Sequence, residues 1–341
     1  MRCPTLQELP APPLGRTGWP WTTETPQLPV NKTDGSPWPR ISITTPSFNQ
    51  GHYLEETIRS VLLQGYPDLE YMVFDGGSTD NSIEIIKKYS PWLICWESVP
   101  DRGQAHAINK GFSRSTGSLI AWINSDDLFL PNAFRISMQQ YALNPHSILL
   151  GDVENFIDEG YNSYVIKQKN VSFPSIILPM NNSSTWHQPG SFVPSFLRFS
   201  AGLLDEDLRY VFDVDWLIRL LQKSEVLYLK NVVARFRIHD SSKTTAEFPL
   251  MMKERHNIAE NRYWNKIPSL DIEYACALNH LEMAGIYLAK HSKYKPYWNR
   301  VEGIRELTLA LIRSRKIITL PDFQKLCRRS LLPTYLLRSK P

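Results

Sequence analysis

Cysteine is scarce in this 341-residue chain: Cys3, Cys95, Cys276 and Cys327 lie far apart and form no CxxC pair. That spacing excludes a zinc knuckle and a disulfide framework, and it fits a reducing, cytoplasmic setting. Long apolar runs are also missing. No stretch approaches the roughly 18 uninterrupted apolar residues of a membrane-crossing helix, and the opening MRCPTLQELPAPPLG has no secretory-type apolar core. The Asn-x-Ser/Thr triplets at Asn31, Asn170 and Asn182 are therefore expected to carry no glycan. No stripe of interleaved basic and aromatic residues and no nucleic-acid motif is present, so nucleic acid is not an expected partner. What remains is a chain with 42% apolar residues, enough for one sizeable core and a smaller second unit.

The net charge of +4 is unevenly placed. From His291 to Pro341 twelve Lys/Arg face three Asp/Glu, which leaves the rest of the chain at about −5. Such a segment reads either as a solvated helical face or as a peripheral contact to an anionic surface, the inner face of a membrane or an anionic acceptor. Each clustered cation contributes about 1 kcal/mol near anionic lipid.

Residues 1–38 are rich in Pro, Thr and Gly without periodicity and read as a flexible arm. From Arg40 short apolar runs alternate with helical spacing. ISITT (41–45) is a strand stopped by Pro46, and Leu54, Ile58, Val61 and Leu62 then mark a helix. LEYMVF (69–74) is a second strand, followed after GGSTDN by a helix through Ile83 and Ile86. WLICW (92–96) is a third strand, Ala105, Ile108 and Phe112 a third helix, and SLIAWI (118–123) a fourth strand. The alternation predicts an α/β fold with a doubly wound, mostly parallel sheet. Residues 39–262 form that domain in this reading. Residues 263–341 form a helical, basic appendage, in which Tyr274, Leu278, Leu281, Leu288, Ile304, Leu307 and Leu311 are expected to pack.

Ligands of open parallel sheets bind beyond the carboxyl ends of the strands. Asp75 ends the second strand there, and Asp126 and Asp127 follow the fourth, so three carboxylates should converge on one crevice. Neighbouring carboxylates repel unless a cation or a proton lies between them, and oxygen ligation suits Mg²⁺ or Mn²⁺. Mg²⁺ usually completes its shell with substrate phosphates, which makes a nucleotide diphosphate the natural ligand.

The order ITTPSFNQGHYLEETIRSVLLQGYPDLEYMVFDGGSTDNS and GQAHAINKGFSRSTGSLIAWINSDD resembles the nucleotide-binding half of the family 2 glycosyltransferases, which have the GT-A fold. WHQPGSFV, GLLDEDLRYVFDVDWLIRLL and FRIHDSSKT resemble the acceptor half, so the similarity spans roughly residues 40–245. The resemblance implies an inverting transfer of a sugar from a nucleotide diphosphate sugar, typically a UDP-sugar, to a carbohydrate or lipid-linked acceptor, in polysaccharide or glycoconjugate synthesis. It places Thr45 and Pro46 beneath the nucleotide, gives Asp75 a hydrogen bond from the base, and makes Asp126 the metal-holding acid of the DxD motif. Asp127 then binds sugar hydroxyls or orients Asp126. Asn124 stands where the family usually has the first Asp; its amide can accept from ribose or ligate a cation but supplies no charge.

The same resemblance sets Gly103, Gln104 and Asn109 close to the nucleotide, with Asp101 or Arg102 reaching the base or the phosphates. His187, Gln188 and Gly190 line the cleft for sugar and acceptor. Asp213 takes the position of the family's catalytic base, although Phe212 replaces the usual Glu and Asp215 stands two residues on, so either acid can be that base. Arg235, Arg237 and His239 close the order, with His239 approaching the diphosphate or the metal. Asp80 in the GGSTD turn is either a helix cap or part of the site. Two rivals share parts of this pattern. A nucleotidyltransferase needs a Gly-rich basic loop, where SFNQGHY offers one glycine and no Lys or Arg; a non-catalytic carbohydrate-binding protein would be consistent with Asn124 and Phe212.

Overall fold

The computed structural model describes residues 1–157, 163–178, 184–239, 242–243, 247–288 and 300–331. The chain divides into two compact units, residues 1–173 with 184–242 and residues 174–183 with 243–341. The first unit therefore ends at Ser242 rather than at 262, and residues 174–183 belong with the second.

In the first unit β1 (Ile41–Ser47), α1 (Gly51–Leu62), β2 (Leu69–Asp75), α2 (Ser82–Tyr89), β3 (Cys95–Ser98), α3 (Gln104–Arg114) and β4 (Leu119–Trp122) follow one another. The four strands pair in parallel in the order β3-β2-β1-β4, so the winding reverses between β1 and β4. Two local expectations need correction. Pro46 does not stop β1, because pairing with β4 ends at Thr44 and Pro46 faces only β2, opposite Phe74. The third strand starts at Cys95 rather than Trp92, because Pro91 opens a single 3₁₀ turn over Ser90–Trp92.

The sheet continues through β5 (Leu128–Phe129), β6 (Ile148–Phe156), β7 (Tyr164–Ile166), β8 (Ser191–Pro194) and β9 (Val226–Arg237). Its order beyond β4 is β8-β6-β9-β5, with β6 and β9 parallel and the other pairings antiparallel. The parallel half is thus the nucleotide-binding half of the expectation, and the second half is mixed. Helices α4 (Ala133–Leu143) and α6 (Leu197–Ala201) link these strands, α5 (Phe173–Ile177) opens the segment 174–183 of the second unit, and α7 (Phe212–Leu221) precedes β9. Pairing of Leu128 with Arg235 brings the end of β9 beside the Asp126-Asp127 turn.

The first 38 residues are not a loose arm. Cys3, Leu9 and Trp21 are buried, the Cys3 amide donates to Tyr66 O at 2.8 Å, and the Leu69 amide donates to Met1 O at 2.7 Å. Arg59 of α1, fully buried, donates to the carbonyls of Pro10, Pro20 and Trp21 at 2.8–3.0 Å and lies 5.4 Å from the Trp21 ring centre. A Pro-rich segment has no helix or strand period, yet three apolar side chains and one arginine hold it to the domain.

The second unit is helical: α8 (Phe248–Ile258), α9 (Ile272–Leu288), α10 (Arg300–Arg313) and α11 (Pro321–Leu331). Ala277, Leu281, Ala284 and Leu288 of α9 pack with Leu307, Ala310, Ile317, Phe323 and Leu326. Gly303 permits the close approach of α10, since a Cβ there would meet Leu288 Cγ at 2.5 Å. Ile304 and Leu311, expected in this core, are instead 41% and 38% exposed. Parts of the basic segment, 289–299 and 332–341, lie outside the described residues. Among the described residues no helix is long and apolar enough to cross a membrane, and none of the four cysteines forms a disulfide.

Candidate functional site

The site is built where the winding reverses, at the carboxyl ends of β2, β1 and β4. Register sets Ser47 of β1 opposite Asp75 of β2, and the Ile123 amide donates to Thr44 O at 3.0 Å just beyond β4. Asp75 and Asn124 therefore stand two strands apart, about 10 Å by strand spacing. The side chain of Thr45 turns into the sheet, 3.0 Å from the Tyr71 hydroxyl, and Pro46 is inside the strand. Ser47 ends β1 with a buried hydroxyl that has no hydrogen-bond partner among the described residues.

Asp75 organises the turn that follows it. Its Oδ2 accepts from the Gly77 and Ser78 amides at 3.1 and 2.8 Å and from Ser98 Oγ at 2.7 Å, while Oδ1 accepts from Ser78 Oγ at 2.5 Å. Gly77 has φ +83°, in the region that favours glycine. Asp80 caps two helices at once, accepting from the Gly51 amide at the start of α1 and the Ser82 amide at the start of α2 at 2.8 and 3.0 Å. The capping reading of the turn is the one the structure supports for Asp80.

Past β4 the two acids part. Asp126 is partly exposed, and its Oδ2 lies 3.0 Å from His239 Nε2. Asp127 is buried, accepting from the Arg237 amide at 3.0 Å and from Asn124 Nδ2 at 3.1 Å. Burial pushes its carboxyl well above the usual range, and the adjacent Asp126 adds to this against the two donors. Asn124 is engaged on both sides, since its Oδ1 accepts from Gln104 Nε2 at 2.8 Å. Beneath the pair, the buried Arg237 donates through Nε to Asp126 O and pairs with Glu56, both at 2.8 Å, between the rings of Tyr53 and Phe156. Thr57 Oγ1 donates to Ser125 O and Asp127 O at 2.9 and 2.8 Å.

Asp126 and His239 offer one oxygen and one nitrogen donor at the accessible edge of this cluster, a mixed set that fits Mn²⁺ better than an oxygen-only Mg²⁺ shell. No group of three or more His, Cys, Asp or Glu able to hold an ion occurs among the described residues. A cation here would take its remaining ligands from substrate phosphate and water.

The other sequence-derived residues divide. Arg102 is exposed and paired with Glu206, and Asp101 accepts from the Gly103 amide at 2.8 Å. Asn109 pins the 204–206 segment, donating to Leu204 O and Glu206 at 2.9 and 2.8 Å. Gln188 Nε2 donates to Trp122 O at 3.0 Å, and its buried Oε1 has no partner among the described residues. His187 packs edge-on to Phe236, and burial pushes its imidazole down to about 4. Arg235 pairs with Glu154 at 2.9 Å over the Phe156 ring.

Helix α7 distinguishes its two acids. Asp215 is buried and paired with Arg219 at 2.9 Å, while Asp213 is only partly buried and bonds the Val214 amide at 2.7 Å. Trp216 lies against Trp122 and Phe112, at ring distances of 5.7 and 5.2 Å, which fixes α7 to the end of β4. Asp213 is one turn before that contact.

Residues 42–209 match the glycosyl transferase family 2 model. The chain carries a glycosyl transferase family 2 domain. An uncharacterised glycosyltransferase of Rickettsia typhi is 28% identical over 212 residues, 60% of this chain and 66% of the relative. A second, from Mycobacterium tuberculosis, is 36% identical over 92 residues, 27% of this chain and 35% of its own. The chain thus spans just under two thirds and about a third of these relatives' lengths. Among solved structures, residues 1–349 of S. aureus TarS in complex with UDP-GlcNAc superpose with TM-score 0.55 at 14% identity, covering 85% of this chain and 88% of that fragment. The mannosyltransferase PcManGT of Pyrobaculum calidifontis, in complex with GDP-Man and Mn²⁺, gives 0.53 at 15%, covering 88% of each chain. At these identities the likeness is one of fold, the GT-A glycosyltransferase fold.

Within the family 2 domain, sequence reasoning missed Tyr53, Glu56 and Thr57. These lie on one face of α1, at i, i+3 and i+4, and hold the ring of His239, the guanidinium of Arg237 and the Ser125–Asp127 backbone. The available signal was a polar pair, Glu56 and Thr57, beside the apolar stripe Leu54-Ile58-Val61.

Proposed function

We propose that the chain is an inverting glycosyltransferase that moves a sugar from a nucleotide diphosphate donor, a UDP-sugar in the first instance, to a hydroxyl of a carbohydrate or lipid-linked acceptor in the cytoplasm. The observation that carries this reading is the partly exposed Asp126–His239 pair, 3.0 Å apart at the switch point of the sheet and braced from below by Arg237. The UDP-GlcNAc complex of TarS and the GDP-Man and Mn²⁺ complex of PcManGT, on the same fold, support a nucleotide-sugar donor and a divalent cation.

Asp126 and His239 are the residues that would hold the cation. Bound there, Mn²⁺ or Mg²⁺ would neutralise charge on the diphosphate. Asp75 keeps the Gly76–Ser78 turn in shape for the base, and its Oδ1, with one protein donor, retains a lone pair for it. Asn124 and Asp127 hold the turn that presents Asp126, and Gln188 offers its unpartnered Oε1 to a sugar hydroxyl. Asp213 takes the proton of the acceptor hydroxyl; the acceptor oxygen bonds the anomeric carbon as the nucleotide diphosphate leaves with the electron pair of the broken bond.

A screen of UDP-, GDP- and dTDP-sugars by thermal shift, with and without Mn²⁺, tests the reading. A ligand at 100 times its Kd adds about 2.7 kcal/mol to the folded state. One nucleotide class should raise the melting temperature more with Mn²⁺ than without it, and that donor should then be hydrolysed or transferred. Absence of stabilisation by every donor would refute the proposal.

A further inference from the structure

The helical unit exposes apolar side chains that its own core does not use. Helix α10 buries Leu307 and Ala310 against α9, yet Val301 and Ile312 on its outer side are 75% and 72% exposed, with Ile304 and Leu311 at 41% and 38%. These four positions, with Thr308, fall at i, i+3, i+7, i+10 and i+11, a single stripe along the helix. Ile318, in the turn after α10, is 47% exposed as well. A monomeric soluble surface rarely gathers such residues on one face without a partner.

Charge accompanies the stripe. Between residues 300 and 331 eight Lys/Arg face three Asp/Glu. Arg305 lies on the stripe itself and Arg313, Arg315, Lys316 and Lys325 are also exposed. Among the described residues, Arg305, Arg313 and Lys316 form surface ion pairs with Glu302, with Glu260 and Glu273, and with Asp271. Exposed pairs of this kind contribute little and exchange readily.

We propose that the outer face of α10 and the turn that follows it dock on an anionic lipid surface, apolar side chains entering the headgroup boundary and the arginines and lysines meeting lipid phosphates and carboxylates. An interfacial helix has this composition, apolar residues on the contact side with cations flanking them. Charge argues against a second copy of the chain as the occupant, because a two-fold contact would bring together two copies of a segment with eight Lys/Arg and three Asp/Glu. The proposal is independent of the transfer reaction and holds whether or not the site turns over a sugar nucleotide.

Flotation of the full chain with phosphatidylcholine vesicles, with and without phosphatidylserine, tests it. Binding should require phosphatidylserine and should fall steeply with salt, as the screening length shrinks from about 10 Å at 0.1 M to about 3 Å at 1 M. Arg305→Gln with Arg315→Gln should weaken binding by about fivefold for each cation removed. Val301→Ser with Ile312→Ser, both at exposed positions, should weaken it by at least about tenfold with an unchanged melting curve. Failure to float at low salt, equal flotation with neutral vesicles, or unaltered binding of the double Ser variant would overturn the proposal. So would a chain dimer that the double Ser variant dissociates while vesicle binding is absent.

Discussion

Replacing Asn124 by Asp supplies the acid that the resemblance to family 2 leads one to expect at this position, and charge counting alone would have Mn²⁺ bind more tightly. The structure argues for the opposite outcome. Asn124 Nδ2 donates to the buried Asp127 at 3.1 Å, and its Oδ1 accepts from Gln104. An aspartate removes the donor and sets two carboxylates side by side, with Asp126 adjacent. Two such charges about 4 Å apart repel by about 4 kcal/mol at an effective dielectric of about 20. Taking up one proton relieves the repulsion at a cost of at most about 4 kcal/mol at pH 7, the figure for an ordinary carboxyl about three units lower, because burial already raises Asp127. The expected loss of stability at pH 7 is therefore about 2–4 kcal/mol, or roughly 5–15 °C in melting temperature for a unit of this size. The pair's titration is raised above that of the unfolded chain, so the deficit is full at high pH and shrinks as pH falls and the shared proton binds. Melting curves of N124D and the parent from pH 5 to 8 in chelator measure this, and Mn²⁺ titration in the presence of UDP measures affinity. Unchanged melting together with tighter Mn²⁺ binding would show that residue 124 belongs to the metal shell, and the reasoning would fail.

Asp126→Ala should weaken a nucleotide diphosphate in Mn²⁺ more than the bare nucleoside, measured by calorimetry; equal losses would remove Asp126 from the metal. Asp213→Asn should lower turnover by about 10²–10⁴ with the melting temperature held, whereas Asp215→Asn, which breaks a buried pair with Arg219, should cost about 2 kcal/mol of stability and less activity. Arg59→Met should leave the carbonyls of Pro10, Pro20 and Trp21 without donors and expose residues 1–38 to limited proteolysis at a cost of about 3 kcal/mol; unchanged cleavage would mean that the segment is held otherwise. His187, held at about 4 by burial, binds its proton later than in the unfolded chain, so stability should fall as pH drops from about 6.5 toward 4, by up to about 3 kcal/mol, and His187→Gln should flatten that acid limb.

Much of the first unit was legible because its elements carry their own signals. The runs 41–45, 69–74 and 118–123 became strands, the residues between them became α1 to α3, and the acids Asp75 and Asp126 fell at the strand ends where the winding rule puts ligands. What the sequence hid is carried by long-range pairing. Arg237 and Glu56 are separated by 181 positions and meet only because β9 runs beside β5, a register that no local pattern announces. The N-terminal 38 residues were misread for a related reason. Their order comes from Arg59 and from burial of Cys3, Leu9 and Trp21, contacts without period. In α10 the period was visible, but apolar residues lie on two sides of the helix, so Ile304 and Leu311 could be assigned to the core as readily as Leu307.

The proposal that Asp213 rather than Asp215 is the base draws on a local rule. A helix turns about 100° per residue, so these two side chains point about 200° apart and cannot share one environment. Arg219 stands at i+4 from Asp215, the spacing at which an acid and a base meet on a helix, and the pair is formed at 2.9 Å with Asp215 buried. A buried carboxylate held by an arginine is not presented to an acceptor hydroxyl. Three and four positions after Asp213 stand Trp216 and Leu217, and Trp216 packs against Trp122 at the strand end that leads into Asn124. The proposed base is therefore the acid that the Asp215–Arg219 pair leaves out, on a helix that Trp216 fixes to the end of β4.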